Sequence, residues 1–286
     1  MPRDRWRELC AKYQNDDGLL TRKVGLWTEE KLYFWNRYVE ITTSAMVGHP
    51  KWPAGLVYID LFAGPGVCEL KQTGRRIPGS VLIAANAPKP FRRVLACELH
   101  GACADALAKR LSGSLPDQVW ALFRGDCNRA IHEVVKHVPA GALSLAFVDP
   151  EDLRVDFSTV RALASCGRVD LLILFMDRMD IVRNVDRYER QRESALDRML
   201  GPQSAWREKW SRLDNRSPEN ICRLFADEYK GQLARHLGYR SFGERVMRSS
   251  RAPLYRLIFA SKSDKGLEFW DKVTRKERSG QTSIEF

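Results

Sequence analysis

Short apolar runs alternating with helical segments constrain this chain more than any other feature of its sequence. The runs are LVYIDL (56–61), RVLACE (93–98), VWALF (119–123), SLAFVD (144–149) and VDLLILF (169–175). Most are apolar at consecutive positions, the pattern of parallel strands buried on both faces. GSVLIAANA (79–87), HGACADALAKRLS (100–112), NRAIHEVVKHV (128–138) and FSTVRALAS (157–165) lie between them and read as helices. Repeated strand–helix units predict a doubly wound parallel sheet. Residues 186–236 are then helical and charge-rich, with a break at GPQS (201–204). Two last runs, SFGERVMRS (241–249) and LYRLIFAS (254–261), have only SRAP between them and predict antiparallel neighbours. The expected fold is α/β, with a mostly parallel seven-stranded sheet ending in an antiparallel hairpin.

The expected organisation is a helical N-terminal extension over 1–55, a main domain over 56–273 with a helical insertion at 186–236, and a flexible tail at 274–286. The first 26 residues read as polar and irregular. TEEKLYFWNRYVEITTSAM (28–46) reads as an amphipathic helix capped by Thr28, with Glu29 and Glu30 in its first turn.

Ligands of open parallel sheets bind outside the carboxyl ends of the strands. The first strand is followed by Asp60, Gly64 and Gly66. The glycines permit close backbone approach. The spacing is not GxGxxG, no GKS or GKT follows, and Pro65 removes an amide that a phosphate cradle would use. A neutral or cationic ligand edge suits the loop better, and Asp60 adds a negative charge nearby. Glu98 ends the second strand and can accept ribose hydroxyls, or cap the next helix. Asp126, in RGDCN (124–128), can accept from an adenine amino group, cap a helix, or do both. Asp149 and Pro150, in AFVDPED (146–152), end the fourth strand, where an acceptor amine could donate to the Asp149 carboxylate and carbonyl; a simple Asp-Pro turn is the alternative. Each signal is weak singly. Four at successive strand ends describe a pocket for a ribose, an adenine and a charged group without phosphates, which is S-adenosylmethionine.

The net charge of +11 favours an anionic partner, with nucleic acid foremost. Residues 70–97 contain Arg75, Arg76, Arg92 and Arg93 but no acid, and Arg183 follows the fifth strand. These arginines are the candidate phosphate contacts. Seven cysteines without a CxxC pair suggest free thiols, a cytoplasmic protein and no structural zinc. No run of 18 apolar residues and no apolar segment at the start were found, so neither a membrane span nor a signal peptide is expected. Lys31, on the first helix, could face the ligand edge, with solvated helix surface the favoured reading, and the five scattered histidines read as surface or packing residues.

VYIDLFAGPG (57–66), GSVLIAA (79–85), RGDCN, LAFVDPEDL (145–153), VDLLILFMDRMDIVRN (169–184) and LYRLIFASKSDKGLEFWDKV (254–273) together resemble the three-Cys-motif partner proteins (TcmP). The resemblance runs from about Lys23 to Val273. It implies a Rossmann-like methyltransferase fold and a separately encoded partner with three clustered cysteines, similar to radical-type iron–sulfur enzymes. It implies cofactor contacts from Gly64, Gly66, Glu98 and Asp126, in a candidate set completed by Asp60, Phe62, Ala63 and Cys127, with Asp149 and Pro150 on the acceptor side. The chain departs from the family pattern in placing Glu151 and Asp152 after Asp-Pro, where an aromatic and a glycine are usual. It also lacks the DPPY of nucleic-acid amino methyltransferases, whose aromatic would stack on a flipped base. Two readings follow. One is an S-adenosylmethionine-dependent methyltransferase acting on nucleic acid; the other is a non-catalytic nucleic-acid or protein adaptor for the same partner. A protein or small-molecule methyltransferase is a weaker third.

Overall fold

The structure is a computed structural model, and its described residues are 5–249 and 252–275. In chain order the strands are β1 (Arg22–Val24), β2 (Leu56–Asp60), β3 (Val67–Leu70), β4 (Arg76–Pro78), β5 (Arg93–Glu98), β6 (Trp120–Arg124), β7 (Leu143–Val148), β8 (Arg168–Phe175), β9 (Ser241–Arg248) and β10 (Pro253–Ser261). The helices are α1 (Arg5–Lys12), α2 (Leu26–Met46), α3 (Ser80–Ala85), α4 (Gly101–Ser112), α5 (Cys127–Lys136), α6 (Phe157–Ser165), α7 (Val182–Arg190), α8 (Ala195–Leu200), α9 (Trp206–Ser211), α10 (Pro218–Leu237) and α11 (Asp264–Thr274).

The main sheet has seven strands in the order β6-β5-β2-β7-β8-β10-β9. Pairing is parallel from β6 to β8, while β10 is antiparallel to both β8 and β9. This is the Rossmann-like plan expected from the sequence. Every residue of β2 and β7 is buried, as unbroken apolar runs require at the centre of a sheet covered on both faces. The edge strand β6 is only partly buried. Strand order reverses at β2, which pairs with β5 on one side and β7 on the other. Loops leaving β2 and β7 therefore diverge and open a crevice.

The N-terminal region packs into the same core as the sheet. Trp35 of α2 stacks on Phe147 of β7 at 5.0 Å between centroids, and its indole donates to the Tyr58 hydroxyl at 3.0 Å. Tyr38 donates to the buried Asp170 carboxylate at 2.8 Å. Trp6, Leu32 and Phe34 belong to the same core as the sheet. Helix α2 also starts earlier than expected. Gly25, not Thr28, is its N-cap, and Thr28 is buried. Trp27 folds back over Gly25, where a Cβ would lie 2.3 Å from the indole, so glycine lets the turn close three residues upstream of Thr28.

A second sheet, β1-β3-β4, was not foreseen. Its strands have 3 or 4 residues, too few to display a period. β1 pairs in parallel with β3 and lays residues 22–24 beside the glycine loop. The charged segment after β8 forms α7 to α10, as its helical pattern indicated, and Trp206 and Trp210 pack against Phe225 of α10. All seven cysteines are free thiols. Among the described residues no helix is long and apolar enough to cross a membrane. Thr274 is the last residue of α11, and residues 276–286 of the expected tail lie outside the described residues.

Candidate functional site

The loop after β2 forms the floor of a cleft of about 280 Å³. Gly64 and Gly66 have φ of 61° and 91°, which disfavour any residue with a Cβ. Three of the loop's amides are committed to the protein. Phe62 donates to Asp60 Oδ1 at 3.0 Å, Ala63 to the Cys97 carbonyl at 3.0 Å, and Gly64 to Glu98 Oε2 at 2.7 Å. Pro65 has no N–H. Four successive positions, 62 to 65, thus offer no amide to a phosphate.

Asp60 itself is fully buried and lines no cleft wall. Burial, the largest influence, pushes its carboxyl up to about 7. It shapes the loop from beneath, where it accepts from the Phe62 amide. Phe62, Ala63, Gly64 and Gly66 do line the cleft.

Asp149 and Pro150 line the same cleft. The Lys31 ammonium donates to Asp149 Oδ2 at 2.5 Å, with side-chain exposures of 7% and 20%. Lys31 is thus no solvated surface residue. Helical spacing puts it on the face of α2 that buries Trp35 and Tyr38, so a lysine in register with an apolar stripe was the signal available. Its nitrogen lies 5.9 Å from the ring centroids of both Phe147 and Tyr255. It occupies the donor place at Asp149 expected for an acceptor amine. Tyr255, from β10, lines the cleft with its hydroxyl buried and without a hydrogen bond among the described residues. Trp27 adds a further aromatic wall.

A smaller cavity adjoins the first and shares Arg22, Phe62, Asp149 and Glu151 with it. Glu98, Asp126 and Cys127 line it. Glu98 is buried and accepts from the Gly64 and His100 amides, one on each oxygen, at 2.7 and 2.8 Å. Each oxygen keeps a further lone pair. Asp126 caps α5 through the Asn128 amide at 2.7 Å, leaving Oδ2 without a hydrogen bond among the described residues. Burial pushes the Cys127 thiol up to about 12 and Cys68 up to about 11, so neither is a thiolate nucleophile near neutral pH. The departures at Glu151 and Asp152 are neutralised locally. Glu151 pairs with Arg22 at the wall between the cavities, and Asp152 takes Arg154 bidentately at 2.7 and 2.8 Å.

The arginines do not gather here. Arg75 pairs with buried Glu29, and Arg76 with Asp16 and Asp17. Arg92 and Arg93 stand at the amino end of β5, across the sheet from the cleft, because parallel strands put their starts on the opposite edge. Arg183 is exposed on α7, outside the cleft wall. The cations at the cleft are Lys23 and Lys71, both exposed and carrying no side-chain hydrogen bond or ion pair among the described residues, together with Arg22 and the buried Lys31.

Neither a protein-family model nor a curated protein sequence matches this chain. Among solved structures it is similar to a putative O-methyltransferase from Klebsiella pneumoniae, with a TM-score of 0.45 and 12% identity over 91% of this chain and 89% of that one. It is also similar to the O-methyltransferase from Bacillus cereus in complex with SAH, with a TM-score of 0.46 and 10% identity over 92% and 93%. A third is the O-methyltransferase TomG from Streptomyces achromogenes in complex with SAM, with a TM-score of 0.45 and 9% identity over 92% and 100%. The likeness is too distant to carry an argument about the chemistry of this chain.

Proposed function

We propose that the chain is an S-adenosylmethionine-dependent methyltransferase acting on nucleic acid together with a separate three-cysteine-motif protein. One observation carries the cofactor reading: a glycine loop whose Phe62, Ala63 and Gly64 amides are taken by the protein, with proline next, lies beside cavities walled by Glu98, Asp126 and Asp149. That donor set suits a cation with hydroxyls and an amino-bearing ring. The Gly64–Gly66 loop would receive the amino acid end. The free lone pairs of Glu98 would receive ribose hydroxyls, and Asp126 Oδ2 the adenine amino group. When bound, the cofactor supplies an electrophilic methyl group. The residues of the chain orient the acceptor, exclude water and hold a proton at Asp149.

The nucleic-acid reading draws on the net charge of +11 and on Lys23 and Lys71 at the cleft mouth, which have no ion pair among the described residues. The three-cysteine partner and the cytoplasmic location follow from the family resemblance and the free cysteines, and belong to the same proposal. The adaptor alternative keeps the fold, with or without cofactor, and transfers no methyl group. Calorimetric titration with S-adenosylmethionine and S-adenosylhomocysteine tests the reading. Saturable binding that is weakened by Gly64→Val supports it. No binding of either at millimolar concentration, from folded protein, overturns it in favour of the adaptor.

A further inference from the structure

The contacts of Lys31 limit what the cleft can methylate. The inference rests on the cofactor reading above. An ammonium carries three donors, and Asp149 takes the only hydrogen bond Lys31 makes among the described residues. Its side chain is 7% exposed, so water cannot freely satisfy the rest. The Tyr255 hydroxyl is likewise buried at the same wall, with no partner among the described residues. The acceptor subsite is therefore short of one kind of group, a hydrogen-bond acceptor that can also donate to a carboxylate.

We infer that the methyl acceptor is a hydroxyl oxygen, which in the nucleic-acid reading is a ribose hydroxyl of RNA. An amine nitrogen gathers positive charge as it takes a methyl group, and a buried ammonium opposes that charge. An amine would also compete with Lys31 for Asp149. A hydroxyl oxygen accepts from Lys31 and Tyr255 and donates to Asp149. Its lone pair forms the new carbon–oxygen bond while the methyl carbon–sulfur bond of the sulfonium breaks, with that pair remaining on sulfur. The hydroxyl proton passes to Asp149 and then to solvent. Lys31 stabilises the oxygen as the proton leaves, and so acts as a catalytic residue. The 2′-hydroxyl is also the group that separates RNA from DNA.

The test starts with calorimetry of S-adenosylhomocysteine. Failure there sinks the cofactor reading before any acceptor is added. With S-adenosylhomocysteine bound, a short single-stranded RNA and the DNA of the same sequence are compared by fluorescence anisotropy. RNA should bind about tenfold tighter, and Lys31→Gln and Tyr255→Phe should each erode that preference. Methyl-labelled cofactor is then incubated with unfractionated cellular RNA and with genomic DNA, and the label is assigned by nucleoside mass spectrometry. It should lie on ribose, and Lys31→Gln should slow transfer at least about a hundredfold while leaving S-adenosylhomocysteine affinity within about twofold. Tyr255→Phe removes only a hydroxyl and serves if Lys31→Gln does not fold. Label on a base amine or in DNA, equal affinity for the two strands, a preference intact in both variants, or no label from protein that binds the cofactor product would each overturn the inference.

Discussion

The Arg110 guanidinium joins the Pro65 carbonyl, inside the glycine loop, to the Asp17 carboxylate, in the segment between α1 and β1. It donates to Pro65 at 2.5 Å, to both Asp17 oxygens at 2.8 Å, and to the Leu19 and Leu20 carbonyls at 3.4 and 2.8 Å. Its side chain is 4% exposed. All its donors are used, and a single residue on α4 thereby fixes the loop and the segment that leads into β1. Arg110→Lys should cost about 3 kcal/mol in chemical denaturation, because an ammonium cannot reproduce the fork and leaves buried carbonyls unpaired. Cofactor affinity should fall with it. A change within about 0.5 kcal/mol, the range of ordinary surface substitutions, would rule out this coupling.

Asp126 has two separable roles. Asp126→Ala removes the cap of α5 and should cost about 1 kcal/mol in stability. Asp126→Asn keeps a competent cap, so its stability should match the parent. Both should bind S-adenosylmethionine more weakly, since neither offers a carboxylate to the adenine amino group. If Asp126→Asn binds as tightly as the parent in calorimetry, Asp126 is a capping residue alone.

Asp60 should impose a pH dependence on stability. Its folded pKa of about 7 stands above the unfolded value of about 3.9. Between these values the folded chain keeps a proton that the unfolded chain has released, so stability falls as pH rises. The contribution is complete below about pH 4 and is lost as pH passes through about 7. Asp60→Asn should flatten the denaturation midpoint over this window relative to the parent. A parallel slope in both proteins would show that Asp60 ionises normally.

Nucleic-acid binding should track the cleft-mouth lysines and not the arginines across the sheet. Lys23→Ala and Lys71→Ala should each make the slope of log K against log salt shallower by about 0.7 on single strands. Arg92→Ala and Arg93→Ala should leave it unaltered. The reverse pattern would move the binding face to the amino edge of the sheet.

Lys31 and Asp149 are 118 residues apart, and that separation marks the limit of what was legible in the sequence. The strands of the main sheet and the carboxylates at their carboxyl ends were readable because each depends on local pattern. A run such as LVYI, apolar along its length and followed by turn residues, reads as a strand buried on both faces, and the loop that leaves it turns at the rim of the sheet. The cleft between β2 and β7 follows from strand order in the same way. The short strands β1, β3 and β4 had no period to display, and they bring Arg22 and Lys23 to the glycine loop. Arg75 and Arg76 looked free in the sequence because their partners, Glu29, Asp16 and Asp17, come from a segment that only the fold brings near. Local sequence determines which stretches must be buried and where the chain turns, since burial and turn geometry act over a few residues. The pairing of charges across the cleft was decided by the tertiary structure, because Coulomb attraction and desolvation depend on distance in space and not along the chain.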